Sequence, residues 1–230
     1  MQIFSMRRFL LALLLPVLAF AGSKYSVAIA PAIVRGAVPS VQEAALSKAI
    51  AEMLSWELSM LPNVKVIDPA SAAAALGTAD RTELGAGEMA DAESAGRHLS
   101  VDAFVLPRVQ HEGDQIQVEA ILSVNLGTRI NTFKWGVQGQ EDLVLPLIRQ
   151  AALTLADSLG VQLPEQARNF ITQSQGSSWI ILDLFSKGIQ AEDEGRKTDA
   201  LAYYHDAQSR GAMLPAMVVR MKKLEATINH

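Results

Sequence analysis

Apolar and polar residues alternate with a period of two between Leu99 and Val137, and this is the clearest pattern in the chain. Ile116, Val118, Ala120, Leu122 and Val124 interleave with Gln115, Gln117, Glu119, Ile121 and Ser123. One face is apolar and the other mostly polar, as in a half-buried strand. Glu112-Gly113-Asp114 and Asn125-Leu126-Gly127-Thr128 carry turn chemistry on either side, with glycines able to take positive φ. Phe133, Trp135 and Val137 repeat the alternation on a third run. The stretch therefore predicts an antiparallel meander of three strands.

Upstream, the run from Lys24 to Val34 predicts a strand whose ladder ends, or bulges, at Pro31. A helical pattern follows. Ser40 and Glu43 have capping-box spacing, and Leu46, Ala49, Ile50, Met53, Leu54, Leu58 and Leu61 recur along one face. Pro62-Asn63 breaks this helix, and Val64 to Asp68 predicts a short second strand. Two strands joined by a helix imply a parallel, right-handed βαβ unit. Pro69–Leu76 and Glu88–Leu99 predict two more helices, separated by a loose stretch from Gly77 to Gly87. After the meander, Gln140–Gly160 predicts a helix with Leu147, Ile148, Ala151, Ala152, Leu155 and Leu159 buried, Pro146 in its first turn and Gly160 as its stop. Val161 to Ser177 turns polar and reads as a linker. The remainder predicts three helices, Trp179–Glu194, Thr198–Arg210 and Pro215–Ile228.

Composition adds an address. Arg7 and Arg8 precede the apolar run Phe9 to Phe20, and Ala19-Phe20-Ala21 fits a cleavage site, so residues 1–21 read as a secretory signal peptide. The run is shorter than the ~20 apolar residues that a spanning helix needs, and no later segment is long and apolar enough to span. With no cysteine in 230 residues, neither a disulfide nor a lipid-bearing cysteine after the leader is available. The expected location is the periplasm or the exterior. Taking Arg7 and Arg8 from 20 basic residues leaves 18 against 24 acidic, a formal charge of −6. A mildly acidic surface without a basic cluster argues against nucleic acid as a partner.

Candidate chemistry is sparse. His98, His111, His205 and His230 are scattered without ligand spacing, so no metal is expected and the rings read as solvated. Gly85-Ala86-Gly87-Glu88 mimics a dinucleotide turn but follows no strand, and reads as a helix entry. Asp102 and Asp114 read as strand-edge and turn residues. No nucleophile elbow, phosphate loop or zinc motif occurs, and no cofactor is implied. Met213, Met217 and Met221 recur four apart on the last helix, a pattern that suits either an adaptable contact face or packing onto the preceding helix.

The order strand, helix, strand, helix, meander, helix resembles the TolB amino-terminal-like domain shared by CsgG-, FlgO- and LpoB-type envelope proteins. The likeness is carried by Val27-Ala28-Ile29-Ala30-Pro31, by Leu54 to Ile67 running through Leu61-Pro62-Asn63-Val64-Lys65-Val66-Ile67, by Gly96 to Val105, by Gly113 to Val118 and by Trp135. Many members of that group are lipoproteins, whereas this chain lacks the cysteine. The tail resembles a single tetratricopeptide repeat, through Gly188, Ala191, Gly195, Ala200, Tyr204 and Ala207 at its small and aromatic positions. One repeat does not bury its own face, so the tail is expected to pack on the first domain or on a second copy.

These readings combine into one expectation. The fold class is α/β (α+β): a mixed sheet with a βαβ start and an antiparallel meander packed by helices, followed by a helical hairpin. The expected units are residues 22–163 as the α/β domain, 164–177 as linker and 178–230 as the helical tail. The function expected is non-enzymatic protein–protein interaction in the bacterial envelope, as an adaptor or assembly protein, with homo-oligomerisation open. Tyr203, Tyr204, Met213, Met217 and Met221 are the candidate partner-contact residues, and the meander edge is a second surface. The rival is a small-ligand or glycan receptor with a pocket between the two units, which a cavity above ~300 Å³ with convergent polar groups would favour. A hydrolase with a triad assembled only in space is a third reading.

Overall fold

The computed structural model describes residues 25–36, 40–61, 63–76, 87–125, 130–161, 165, 179–211 and 214–228. The expected leader, the expected turn at 126–129, Gly85 and Ala86 of the expected helix entry and almost all of the expected linker lie outside them, as do the side chains of Ser40 and Phe133.

Alternation along the strands sends side chains to two faces, and helices cover both. Strands β1 (Tyr25–Ile29), β2 (Ile33–Gly36), β3 (Val64–Ile67), β4 (Ala103–Glu112), β5 (Gln115–Asn125) and β6 (Ile130–Gln140) form one mixed sheet, ordered β3-β1-β4-β5-β6. β1 pairs parallel with β3 and β4, while β4, β5 and β6 form the expected antiparallel meander. The run expected as a single opening strand is broken at Ala30-Pro31-Ala32. Pro31 has no amide for a ladder, so the chain detours and rejoins the same neighbour, with β2 pairing parallel to the second half of β4. At the break Ala30 N donates to Val105 O (2.9 Å), and Ala32 N donates to Ser47 O (3.2 Å).

On one face lie α1 (Ser40–Ser59) and α4 (Val144–Ser158), the latter entered through a 3-10 turn at Glu141–Leu143. Val27, Ile29, Val105, Val118 and Leu122 meet them there. On the other face α2 (Pro69–Leu76) and α3 (Gly87–Leu99) cover Ala28, Ala30, Phe104, Leu106 and Ile121. Ile121 breaks the polar alternation of β5 because its side of the strand is buried at that point too, as is Ser123. Pro146 sits at the third position of α4, and Gly160 takes φ +71 after it.

Helices α5 (Trp179–Asp193), α6 (Lys197–Ser209) and α7 (Pro215–Ile228) follow. They do not stand apart. Ile181, Leu182, Phe185, Ala200, Tyr204, Met217 and Leu224 belong to the same continuous core as α1 and the sheet. α5 and α6 approach closely at Gly188, where a Cβ would overlap the Tyr204 ring. Among the described residues no helix is long and apolar enough to cross a membrane.

Candidate functional site

The helical unit meets the α/β unit along α1, and a groove of about 780 Å³ opens there. α1 contributes Lys48, Glu52, Ser55 and Trp56. The corner from β3 into α2 contributes Val66, Ile67, Asp68, Ala70 and Ala73. α5 contributes Glu192 and Asp193, and α7 contributes Val219, Arg220 and Lys223. Pro31, just beyond the carboxyl end of β1, also lines it. The groove therefore opens at the carboxyl ends of two neighbouring parallel strands, where open α/β sheets commonly take ligands.

One wall is built from paired charges. Arg220 Nε donates to Glu52 Oε2 (2.7 Å), its Nη2 donates to Glu52 Oε1, and its Nη1 lies 3.0 Å from Glu192 Oε2. The Tyr204 hydroxyl donates to Glu192 from the core side. Lys48 donates to Asp193 at the more exposed end. Burial pushes the Tyr204 phenol well above its usual range, and its bond to the Glu192 carboxylate pushes it further. Burial works against the Arg220 charge, but the two hydrogen bonds to Glu52 outweigh it and hold the guanidinium firmly protonated. Ser55 Oγ is buried without a hydrogen-bond partner. Across the groove Asp68 accepts from Ser71 N (3.2 Å) and so caps the start of α2.

The structure redistributes the candidate contact residues. Tyr204, expected on an accessible concave face, is fully buried because its ring fills the space over Gly188. Met217 and Met221 are buried as well, with their helix against α6 and α1. The Met213 side chain lies outside the described residues. Tyr203 is partly buried against the core edge and keeps some exposure.

The histidines separate similarly. His98 is exposed at the end of α3, and His205 is exposed 4.0 Å from Glu225. His111 departs from the expected solvated state. Its ring stacks on Trp179 at a centroid distance of 4.5 Å, Nε2 lies 2.9 Å from Glu141 Oε2, and Nδ1 is buried without a partner. Sequence reasoning missed this pairing because 68 positions separate the two rings. No group of three His, Cys, Asp or Glu side chains placed to hold a metal occurs among the described residues. Asp102 accepts from Ser26 N (2.7 Å) and Ser26 Oγ (2.6 Å), which ties the start of β4 to the start of β1.

A second surface is the sheet edge. β6 runs for 11 residues at the end of the strand order and pairs through its length with β5. Among the described residues no strand adjoins its other side.

No family model matches the chain, and no curated protein sequence matches it. Solved structures with some similarity include the C-terminal domain of LpoB from Salmonella enterica, at 16% identity and TM-score 0.34, covering 53% of this chain and 88% of that one. The lipoprotein GNA1162 from Neisseria meningitidis aligns at 12% identity and TM-score 0.33, over 60% of this chain and 99% of that one. Likenesses of this size carry no functional information.

Proposed function

We propose that the chain is a non-enzymatic protein–protein interaction protein of the bacterial envelope, acting as an adaptor or assembly protein in the periplasm or outside the cell. The observation that carries this is β6. It is 11 residues long, contains no proline and leaves one side of its backbone without a strand partner among the described residues. Such an edge accepts a partner strand, with main-chain hydrogen bonds giving affinity. The leader sequence supports the address.

Proline scanning of neighbouring β6 positions tests the reading. Amides in β6 point alternately toward β5 and away from it. Of Val137→Pro and Gln138→Pro, one removes a ladder bond to β5 and lowers the melting temperature. The other removes an outward donor and leaves the melting temperature unchanged. The second variant is expected to lose the envelope proteins that the parent chain recovers from crosslinked cells. Full recovery by both variants, or recovery of no envelope protein by the parent, overturns the proposal.

A second reading has its own observation. The groove of about 780 Å³ between the helical and α/β units exceeds the ~300 Å³ set for a ligand receptor and has convergent polar groups. It supports a small-ligand or glycan receptor.

A further inference from the structure

We infer that β6 is taken by β6 of a second copy of this chain, in an antiparallel pair with its two-fold axis at Trp135. The inference rests on the reading of β6 as an open edge and names the strand that takes it.

The two ends of the sheet differ. β3 ends one side with four residues, too few to template a long partner. β6 ends the other with 11, and its register to β5 runs from Gln115↔Gln140 to Asn125↔Ile130 without a bulge. Open edges are usually guarded by a proline, a bulge or an outward charge. β6 holds no proline, and Lys134 is its single charged residue. That charge is turned back into its own sheet. Lys134 Nζ lies 2.7 Å from Glu119 Oε2 on β5, and the Glu119 side chain is largely buried. A glycine makes the room: Gly136 stands opposite Glu119, where a Cβ would come within 3.0 Å of Glu119 Cγ. The lysine that would repel an incoming strand is thus answered before the strand arrives.

A strand that fits this edge needs similar length, little charge and the same phase of buried and exposed positions. β6 itself meets all three. Trp135 is the midpoint of Ile130–Gln140, so a two-fold there overlaps all 11 residues. Odd positions then face odd positions. Trp135 and Val137, half-buried against the main core, meet positions 135 and 133 of the second copy, which carries the apolar face across the joint. On the exposed face Lys134 meets Gly136 and Gln138 meets Thr132, so no like charges stand directly opposite. Moving the axis to Lys134 would set the two lysines against each other. Whichever parity of amides points outward, this axis gives them partners.

The pairing also closes on itself. A two-fold contact uses the same patch on both copies and leaves none for a third. Both long edges are consumed, and the short β3 edges are left at the ends. The product is therefore a dimer with one continuous sheet and not a fibre. A single shared edge lies at the small end of specific interfaces, so the dimer is expected to dissociate on dilution.

Sedimentation of the purified chain from about 1 to 100 μM, the range suited to a small interface, tests the inference. The mass is expected to rise from monomer to dimer and no further. Of the Val137→Pro and Gln138→Pro chains, the one that keeps its melting temperature is expected to stay monomeric. Cysteine pairing checks the register, since the chain has no cysteine of its own. Opposed residues have Cα atoms about 4.5–5.5 Å apart, within reach of a disulfide. Thr132→Cys and Gln138→Cys in one chain are expected to give a covalent dimer on oxidation, as is a mixture of the two single variants. Neither single variant alone should do so. A monomer at every concentration, a dimer unaffected by both prolines, or a single cysteine variant that crosslinks as fast as the pair overturns the inference. If the chain is monomeric yet the outward proline abolishes recovery of envelope proteins, the inference falls and the adaptor reading stands. A proline-sensitive dimer whose proline variants still recover those proteins upholds the inference and overturns the adaptor reading instead.

Discussion

Tyr204 is the side chain on which the helical unit closes. Its ring lies against Gly188 and tilts against Phe185 at 5.9 Å, and its hydroxyl donates to Glu192. Gly188→Ala is therefore expected to destabilise the chain by about 1–3 kcal/mol, the usual cost of overpacking, read as a lower urea midpoint. Combining it with Tyr204→Leu should cost less than the two single changes added together, since the smaller side chain makes room for the new methyl. The hydroxyl gives a pH signature. The fold raises the phenol above its ordinary value of ~10, so it favours the protonated form. That contribution is fully present below pH ~10 and is lost as pH rises from there toward the folded-state value. Tyr204→Phe, which does not titrate, should be the less stable protein at pH 8, and the gap should narrow at pH 11. Urea midpoints of both chains at the two pH values check this. The sequence placed Tyr204 correctly between small residues. What it could not show was that a residue filling such a gap has no surface left for a partner.

Elements were legible where their period was long and undisturbed. The meander, the βαβ start and helix α1 follow from alternation and helical spacing, and the short α2 from its run of alanines. The opening strand was legible only as far as Pro31, because what happens after a missing amide depends on the neighbour. Here β4 runs on far enough to take the chain back as β2. Both faces of the sheet are covered, yet β5 reads as half-polar. Its outer positions are buried only where α3 crosses, at Ile121 and Ser123. Asp102 is legible as a strand-edge residue, although its partner, 76 positions away, is not. Asp102→Ala removes two acceptor contacts to Ser26 and is expected to cost about 1–3 kcal/mol. Asp102→Asn should recover part of this, since its carbonyl still accepts. Chemical denaturation of the three chains gives the ranking.

A pocket between the two units was one reading of the sequence, but the residues that line the groove were not legible, because it exists only once the helical unit has docked. Its ion pairs join residues 145 and 168 positions apart, and no spacing rule reaches that far. The same pairs make docking testable. α1 is packed on one side by the sheet and on the other by α5 and α7, and the buried cluster runs without a break from Val27 to Leu224. The three terminal helices thus use the α/β unit as the rest of their core. A segment of residues 178–230 alone is expected to give a weakly helical circular-dichroism spectrum with no cooperative melt. Residues 22–161 alone should fold, since the sheet and α1 to α4 remain, but melt at a lower temperature and self-associate in sedimentation through the uncovered side of α1. Arg220→Ala separates docking from folding. It leaves Glu52 and Glu192 without their shared cation in a partly exposed setting, at a cost of about 1–3 kcal/mol. Because that cost falls on the interface, amide exchange should speed up in α7 and at the end of α5 before it changes in β4 and β5. A cooperative, monomeric 178–230 segment, or uniform exchange across the Arg220→Ala chain, would show that the two units fold independently and that the groove between them is incidental to their stability.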